Sequence, residues 1–563
     1  MSVEQQVADL ESRLYAGRWV ARVRGKVIAQ GATRDEAYQS ARVSRPKEKF
    51  ELVFMSPVFD HPLLKQVREL LPPGQPLYLV GGAVRDSLLG RETHDLDFAV
   101  PAGAIKLARR IADKLPGAFF PLDQETDTAR VIVEREDGGR DMLDFAGFRG
   151  VDLQADLRGR DFSINAMAID VRTGEAIDPL GGAQDLREKR IRACSQTSLG
   201  DDPLRVLRGV RQAAAYGFTI QPETRKLMKA AVPLLPRVST ERQRDELFKI
   251  LQGPQPDASI RALEVLGVIQ VLLPELAALK AVDQSAPHVY DVWTHTLAVL
   301  RHLEAILDVL APEYNADTGK GNADLFNGLL ALRLGRYRRQ LGEHLGTALN
   351  TDRSARALLF FAALYHDVSK PSTRTVEQGG RIRFLGHEEQ GTRIAAQRGV
   401  TLHLSNDELE RLKLIIRNHM RIHFHTGRKL EGRDPSRKAI YRFFRDSGPA
   451  GVDVVLLSMA DFRATYEHTM SQERWIACLD VCRIFLEAWY EKAAEVIAPV
   501  QLLNGDDLIS ELKMSPGPEI GRLLELIRED QVMGNLATRQ DALAFARGWL
   551  AGDKLHKSGI QSR

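Results

Sequence analysis

The chain has 563 residues, and at roughly 150 residues per domain this length predicts three to five domains. Hydrophobic residues make up 44% and charged residues 27%, which is typical of a water-soluble globular protein and excludes a collagenous or low-complexity chain. The net charge of +3 indicates no particular class of partner. Any nucleic-acid contact must therefore come from local clusters of basic residues.

Neither a secretory signal nor a membrane span is predicted. The chain begins without a basic stretch followed by an apolar run, and no stretch approaches about 18 uninterrupted apolar residues. Three cysteines are too few for a disulfide framework or a four-ligand zinc site. We therefore expect a cytoplasmic protein with no membrane partner, and the sequence leaves its oligomeric state open.

Residues 1–56 are predicted to form a small ββαβ domain. Strand-forming residues flank the turn Arg24-Gly25, and Thr33 and Glu36 have the spacing of a helix-capping box. A last strand is predicted at residues 50–55. The segment contains no catalytic set, so its role stays open.

The following segment has an α/β pattern. A short apolar strand at residues 77–80 leads into Gly81-Gly82 and then a helix, and further strands are predicted at residues 96–100, 129–134 and 142–145. Backbone N–H groups at a helix start after two glycines can approach phosphate oxygens closely. Arg85 would add a charge-assisted contact.

Three aspartates carry the predicted chemistry. Asp95 and Asp97 are two apart on a predicted strand, so their side chains share one face. Two such carboxylates are suited to a pair of Mg²⁺ ions that support in-line phosphoryl displacement, and Asp144 could supply a third. The glycine pair alone is more often a plain turn, and Asp-x-Asp alone is more often a solvated strand end. The two motifs in this order and at this spacing are much rarer by chance.

The order of these pieces resembles the DNA polymerase β-type nucleotidyltransferase head. Later segments extend the resemblance: RDFSINAMA at residues 160–168, DPLGG at residues 178–182 and DDPLRVLRGVR at residues 201–211. With STERQRDELFK at residues 239–249, they resemble the class II tRNA nucleotidyltransferases, which are the CCA-adding enzymes and bacterial poly(A) polymerases.

The resemblance implies transfer of CMP or AMP from CTP or ATP to the tRNA 3′ end, with Mg²⁺ at Asp95 and Asp97. It implies that Asp202 and Arg205 read the edge of the base. The full implied set of nucleotide-binding residues is Gly81, Gly82, Arg85, Arg160, Asp161, Asn165, Asp202, Arg205, Arg208 and Arg211. Within it, Asp161 and Asn165 are expected near the ribose, and Arg208 and Arg211 near the triphosphate or the tRNA end.

Three departures from the family pattern are visible, and the mildest is Asp201 as the first acidic residue of the helical Glu-Asp motif. Gly159 stands where the family commonly has an arginine. The segment between Asp144 and Arg160 is short, which resembles enzymes that add only the terminal A. Addition of the whole CCA sequence and addition of A alone therefore both stay open.

A second set of residues has the types and order of a metal centre. Imidazole and carboxylate ligands suit divalent ions, and a bound ion would acidify a water for attack on a phosphoester. The set resembles an HD-type metal phosphohydrolase, since HDVSKP at residues 366–371 is close to that family's HDIGKP. The candidate ligands, for Ni, Mn, Fe, Zn or Mg, are His295, His366, Asp367, His387, His419 and Asp461.

Residues 417–445 contain nine Lys or Arg against two acidic residues, with Phe424, Tyr441, Phe443 and Phe444 interleaved. Such a pattern suits RNA binding, with aromatic rings that stack on bases, or a solvated helix face with core-side aromatics. Both interpretations stay open.

The sequence thus predicts an α/β nucleotidyltransferase head of the polymerase β type with a mixed sheet, followed by mostly α-helical domains. The predicted domains are the appendage at 1–56, the head at 57–190, a helical neck at 191–280, an HD domain at 281–490 and a helical tail at 491–563 that could bind tRNA. The alternatives are a poly(A) polymerase, a catalytically inert RNA-binding protein and an HD nucleotide phosphohydrolase with a vestigial head.

Overall fold

The computed structural model describes residue 15 and residues 18–31, 33–55, 61–315, 325–350 and 353–560. Its internal contacts divide the chain into two compact units, Met1–Val238 and Ser239–Arg563. This division lies inside residues 191–280, the predicted neck. The domain boundaries given above stay predictions.

The N-terminal unit begins with a three-stranded antiparallel sheet of order β2-β1-β3. Its elements are β1 (Arg18–Val23), β2 (Lys26–Gly31), α1 (Arg34–Ser44) and β3 (Glu51–Met55). The Thr33 hydroxyl accepts a hydrogen bond from the Glu36 N–H at 3.0 Å, so the predicted start of the helix is confirmed. The predicted ββαβ order is present.

A seven-stranded sheet follows, with the order β10-β9-β4-β5-β8-β7-β6. Strands β5 and β8 are parallel, and the other neighbours are antiparallel. The predicted mixed sheet is therefore confirmed. The strands are β4 (Tyr78–Val80), β5 (Asp95–Val100), β6 (Gly117–Asp123), β7 (Thr128–Glu134), β8 (Arg140–Gly147), β9 (Ala168–Asp170) and β10 (Ala176–Ile177).

Alternation along these strands separates an apolar face from a polar one. Leu143 and Phe145 of β8 are buried, and the Phe145 ring stacks on Phe98 of β5 with 4.9 Å between ring centroids. Asp97 and Asp144 alternate with these rings and therefore lie on the other face of the sheet. The pleat thus separates the packing residues from the carboxylates.

Short helices and one small parallel pair complete the unit. Strands β11 (Arg190–Ile191) and β12 (Thr219–Ile220) pair in parallel. The helices are α2 (Pro62–Leu70), α3 (Gly82–Leu88), α4 (Ala104–Ala112), α5 (Leu153–Arg158), α6 (Gly182–Arg187), α7 (Ser198–Asp201), α8 (Arg205–Tyr216) and α9 (Pro222–Ala231), with 3₁₀ turns at Ser163–Asn165 and Val232–Arg237.

The C-terminal unit is mostly helical, as predicted. Its first helices are α10 (Thr240–Gln252), α11 (Pro256–Leu266), α12 (Val268–Leu272), α13 (Pro274–Ala277), α14 (Val292–Val309), α15 (Leu325–Leu334), α16 (Arg338–Gly346), α17 (Ala355–Tyr365) and α18 (Lys370–Thr373). The later ones are α19 (His387–Thr401), α20 (Asn406–Asn418), α21 (Arg421–Leu430), α22 (Arg437–Ser447), α23 (Ala450–Tyr466), α24 (Gln472–Tyr490), α25 (Gly505–Leu512), α26 (Pro518–Val532) and α27 (Arg539–Ile560).

Smaller elements join these helices. Two antiparallel pairs are formed by β13 (Ala348–Asn350) with β14 (Arg353–Ser354), and by β15 (Thr375–Val376) with β16 (Ile382–Arg383). Single turns of 3₁₀ or π helix are Gly335–Tyr337, Glu467–Thr469 and Ala493–Ile497.

Helices α14, α17 and α23 form the core of this unit. Ten of the eleven residues of α17 are buried, and α23 is buried over nearly its whole length. This all-round burial explains why their sequences are apolar on every side rather than along one stripe. Across the described residues, no helix combines the length and the apolar character that crossing a bilayer requires.

Candidate active site

The predicted carboxylates meet at the polar face of the seven-stranded sheet. Asp97 of β5 and Asp144 of β8 are register partners on two parallel strands. Asp95 lies two residues before Asp97 and is exposed. Burial and the neighbouring Asp144 carboxylate raise the pKa of Asp97 to about 6, because both disfavour its negative charge.

Gly81 brings the backbone close to this pair. The residue has φ +73°, and a Cβ placed there would lie 3.1 Å from Asp97 Oδ2 and 3.2 Å from Arg160 Nη1. Any side chain would therefore push the carboxylate or the guanidinium aside by a few tenths of an ångström, and the positive φ would add backbone strain. Gly82 follows as the first residue of α3.

A cavity of about 370 Å³ opens beside the glycines and carboxylates. Because its walls carry six arginines and few apolar groups, it is suited to an anionic ligand. The lining residues are Val80, Gly81, Gly82, Arg85, Asp97, Phe98, Asp144, Ala146, Arg149, Arg160, Asp161, Asn165, Arg205, Arg208, Arg211, Gln212 and Tyr216.

Most of the sequence-predicted set therefore lines one cavity. Among the described residues that form its wall, neither Asp95 nor Asp202 is present. Asp202 lies before α8, where its carboxylate accepts a hydrogen bond from the Leu204 N–H at 3.3 Å. The sequence-based role of Asp202 in base recognition stays a prediction.

Arg205 is tied to the protein backbone. It is 7% exposed, and its guanidinium donates hydrogen bonds to the carbonyl oxygens of Gly159, Arg160 and Ser198 at 2.9–3.1 Å. These bonds fasten the loop before Asp161 to α8. Arg205 thus has a positioning role in addition to its predicted contact with the base.

Asp161 and Asn165 lie inside a hydrogen-bonded network. Asp161 forms an ion pair with Arg208 at 3.0 Å and accepts a hydrogen bond from Asn165 Nδ2 at 2.9 Å. Burial opposes ionisation of Asp161, but Arg208, Asn165 and the Phe162 N–H outweigh it and lower the pKa. Their predicted contact with the ribose stays a prediction.

Four side chains that sequence reasoning missed support this cavity. Arg130 donates to both oxygens of Asp144 at 2.7 and 2.8 Å, and Asp156 accepts two bonds from Arg160. Tyr216 lies under the Arg85 guanidinium at 4.7 Å, and Gln212 accepts from Asn165. The helical spacing of Gln212 and Tyr216 from Arg208 was the only available signal.

The second set of residues also meets in space. His295, His366 and Asp367 form one possible metal-binding group, and Asp367, His387 and His419 form another. All five are buried, and Asp461 Oδ1 lies 3.0 Å from His295 Nε2. The candidate ligands come from helices α14, α19 and α23 and from the residues that follow α17 and α20.

Three of these histidines are oriented by the backbone. Nδ1 of His366, His387 and His419 lies 2.6–2.7 Å from the carbonyl oxygens of Ala363, Phe384 and Ile416, respectively. The carbonyls fix Nδ1 as the donor and direct the Nε2 lone pair towards Asp367. This is the arrangement that orients metal-ligating histidines.

The centre contains further residues that the sequence set omitted. His423 Nε2 lies 3.0 Å from Asp461 Oδ2, and Lys370 Nζ lies 2.6 Å from Asp367 Oδ2. A cavity of about 460 Å³ reaches the centre, with Phe384, Leu385 and Phe462 in its wall. His423 follows His419 by four residues, which is a spacing that sequence could have flagged.

Comparisons with known proteins agree with this arrangement. The family model described as "Poly A polymerase head domain" matches residues 77–192, the "HD domain" model matches residues 331–447, and the model for tRNA nucleotidyltransferase domain 2 matches residues 491–546. A CC-adding tRNA nucleotidyltransferase of Thermus thermophilus is 33% identical over 85% of this chain and 95% of its own length. The chain belongs to the tRNA nucleotidyltransferase family.

Another relative and a solved structure also match most of the chain. An A-adding tRNA nucleotidyltransferase of Deinococcus radiodurans is 32% identical over 86% of this chain and 98% of its own length. A solved structure of a CCA-adding enzyme with ATP is 23% identical, with a TM-score of 0.56 over 87% of this chain and 96% of that chain. This likeness confirms the predicted fold, and the relatives confirm that the protein is a nucleotidyltransferase.

Proposed function

We propose that the protein adds CMP or AMP, from CTP or ATP, to the 3′ end of tRNA. The observation that carries the proposal is the pairing of Asp97 with Asp144 on parallel strands beside Gly81, at the edge of an arginine-lined cavity. The cavity supplies a place for a triphosphate, and the carboxylates supply a place for its metal. The names of the matching relatives support the same activity.

The carboxylates fit Mg²⁺. Burial and the adjacent carboxylate raise the pKa of Asp97, which makes the pair a poor site for two bare negative charges and a favourable one for a divalent cation. Asp95 and Asp97 would hold the ions, with Asp144 as the third carboxylate. Bound Mg²⁺ would lower the pKa of the attacking ribose hydroxyl and neutralise charge on the phosphates.

The protein's own groups position the reactants. Arg85 is held by Asp86 at 2.7 and 2.9 Å and by Asn165 at 2.6 Å, so its guanidinium presents a fixed positive charge to the cavity. Arg160 is held in the same way by Asp156. Such preorganised cations bind a triphosphate without reorganising, and positioning of this kind supplies most of the catalysis in phosphoryl transfer.

An assay with truncated tRNAs tests the proposal. Purified protein receives tRNAs that end before the first C, before the second C or before the terminal A, with CTP and ATP supplied singly and with Mg²⁺. CTP incorporation on the first two substrates identifies C addition, and ATP incorporation on the third alone identifies A addition. Long ATP-dependent tails would identify a poly(A) polymerase, and no incorporation would favour an inert RNA-binding protein.

We further propose that the histidine–aspartate centre binds divalent ions and hydrolyses a phosphoester. The supporting observation is that two ligand groups share the Asp367 carboxylate: Oδ2 lies 3.1 Å from His366 Nε2, and Oδ1 lies 3.5 Å from His387 Nε2. Asp367 could therefore bridge two ions, of Ni, Mn, Fe, Zn or Mg. The resemblance to HD domains that follow a tRNA nucleotidyltransferase head implies a 2′,3′-cyclic or terminal phosphate on RNA as the substrate.

The test for this centre separates metal binding from hydrolysis. Metal content of the purified protein is measured by mass spectrometry after loading with Mn²⁺, and release of phosphate is then followed on RNA with each terminal phosphate. Binding without hydrolysis of any phosphoester would contradict the hydrolase proposal. Absence of bound metal would contradict both parts.

A further inference from the structure

One buried amide in the wall of the arginine-lined cavity has so far been described only by its hydrogen bond with Asn165. Gln212 lies on α8, four residues after Arg208, and only 3% of its surface is exposed. Its side chain lines the cavity beside Asn165 and Tyr216. Burial of an amide costs free energy unless its polar atoms have partners, so the direction of this side chain carries information.

A chain of hydrogen bonds fixes which end of the amide faces the cavity. Arg85 has only donors, and its Nη1 lies 2.6 Å from Asn165 Oδ1, so this atom of Asn165 must be the oxygen. The Asn165 nitrogen then donates its two hydrogens to Asp161 Oδ1 and to Gln212 Oε1, at 2.9 and 3.0 Å. Gln212 Oε1 is therefore the acceptor.

The other end of Gln212 is consequently a donor. Among the described residues, its Nε2 has no protein partner, and this nitrogen is not one of the atoms that are sealed from solvent. Since the rest of the side chain is buried, Nε2 reaches solvent through the cavity that Gln212 lines. Asn165, the other amide in the wall, has already used both of its hydrogens.

We propose that Gln212 Nε2 donates a hydrogen bond to an uncharged acceptor on the nucleoside of the bound triphosphate, either a ribose oxygen or a ring nitrogen of the base. The arginines of the wall already supply charged donors for phosphate oxygens. A neutral donor adds little for a phosphate but recognises a neutral acceptor well. This proposal rests on the proposed function, in which the cavity holds the nucleotide.

Two variants separate this contact from a structural role. Gln212→Glu keeps an oxygen for Asn165 and removes the donor, and Gln212→Met removes both. The matched control is Gln124→Met, at an exposed position of the same unit. The measurement compares KM and kcat for ATP with those for 2′-deoxy-ATP, 3′-deoxy-ATP, 1-deaza-ATP, 3-deaza-ATP and 7-deaza-ATP, with a tRNA that accepts AMP.

The proposal predicts that KM for ATP rises about tenfold in both Gln212 variants, and kcat changes less. In wild type, the analogue that lacks the contacted acceptor binds more weakly than ATP. In Gln212→Met, that analogue and ATP bind equally well. If that analogue is a deoxy-ATP, the acceptor is the missing ribose hydroxyl oxygen, and if it is a deaza-ATP, the acceptor is the missing ring nitrogen of the base. The Gln124→Met control keeps the wild-type ranking of analogues.

Two results would overturn the proposal. Unchanged KM in both variants would show that the donor contacts no substrate atom, and equal penalties for every analogue in wild type and Gln212→Met would show a purely structural role. If Gln212→Met fails to fold, Gln212→Glu supplies the same comparison. Wild-type protein that incorporates no nucleotide at all would instead contradict the proposed function.

Discussion

Asp97 and Asp144 lie opposite one another on the parallel strands β5 and β8, although 47 positions separate them in the chain. Arg130 of the neighbouring strand β7 holds both oxygens of Asp144. The sheet itself thus builds the carboxylate pair, and the pair does not depend on a loop. Rigid strands are suited to the precise placement that in-line transfer requires.

The first prediction concerns this pair. Asp97→Asn is expected to lower kcat for nucleotide incorporation about a thousandfold, because it removes a charge that holds the metal and leaves the sheet intact. The control is Asp113→Asn, an exposed residue of the same unit. Retention of more than a tenth of wild-type kcat in Asp97→Asn would contradict the assignment.

The second prediction concerns the glycine beside the pair. Gly81→Ala is expected to lower kcat/KM about a hundredfold, because the new Cβ would displace the Asp97 carboxylate or Arg160. Gly90→Ala is the matched control, since Gly90 has φ +68° and no atom within 4 Å of its Cβ position. Both glycines have a positive φ, so both variants carry backbone strain of at least about 1–2 kcal/mol, and wild-type kcat/KM in Gly81→Ala would contradict the steric argument.

The sequence predicts the identity of the motif residues in this site but not the contacts that hold them in place. The motif residues Asp97, Gly81 and Arg160 were predicted, and the structure brings them to one cavity. The contact of Asp144 with Arg130 was not, because the register between strands is set by the whole sheet. Arg205 shows the same limit: its identity was predicted, but its bonds to three carbonyl oxygens depend on loop geometry.

The aromatic residues of 417–445 show where a local pattern misleads. Tyr441, Phe443 and Phe444 are at most 3% exposed, so these three rings cannot stack on RNA bases and the core interpretation is right for them. Phe424 is 63% exposed. Composition gave no means to tell Phe424 on α21 from the three rings on α22, because burial depends on which helices pack against each of these two helices.

The third prediction concerns the histidine–aspartate centre. Wild-type protein loaded with Mn²⁺ is expected to hold two ions per chain in this centre, and His387→Ala one, because it removes one ligand group and leaves the group of His295, His366 and Asp367. Asp367→Asn, which alters the shared ligand, is expected to hold none. All proteins in this measurement also carry Asp97→Asn, so that Mn²⁺ bound at the nucleotidyltransferase site is not counted.

The control for the metal measurement is His468→Ala, at an exposed position. It is expected to keep the wild-type metal content. Two bound ions in Asp367→Asn would show that the metal lies elsewhere. Nucleotide incorporation is expected to be unchanged in His387→Ala, which lies in the other unit of the chain.

The fourth prediction concerns stability and pH. Arg353 and Glu408 form a buried ion pair, with distances of 2.6 and 3.0 Å, and Arg353 also contacts Asp245 of α10. Burial opposes ionisation of Glu408, but Arg353 and the Ser405 N–H outweigh it and lower the pKa below the usual 4.5. The stabilisation is therefore complete above the unfolded-state pKa and is lost as pH falls through the folded-state pKa.

Glu408→Gln is accordingly expected to lower the free energy of unfolding by about 3 kcal/mol at pH 7, because Arg353 keeps its charge in a buried site. Calorimetric unfolding of both proteins from pH 7 down to pH 3 measures the difference. The difference in unfolding free energy between wild type and Glu408→Gln is expected to narrow below pH 4.5. A constant gap over this range would show that the Glu408 charge contributes nothing.

We propose above all that Asp95 and Asp97, with Asp144 as the third carboxylate, hold the metal for nucleotide transfer to a tRNA 3′ end. The most direct measurement is incorporation of labelled CTP and ATP onto the three truncated tRNAs by wild type, Asp97→Asn and Asp113→Asn, with and without Mg²⁺. The account predicts Mg²⁺-dependent addition of a defined number of nucleotides by wild type and Asp113→Asn, and almost none by Asp97→Asn. Equal addition by Asp97→Asn, or addition without any divalent cation, would contradict it.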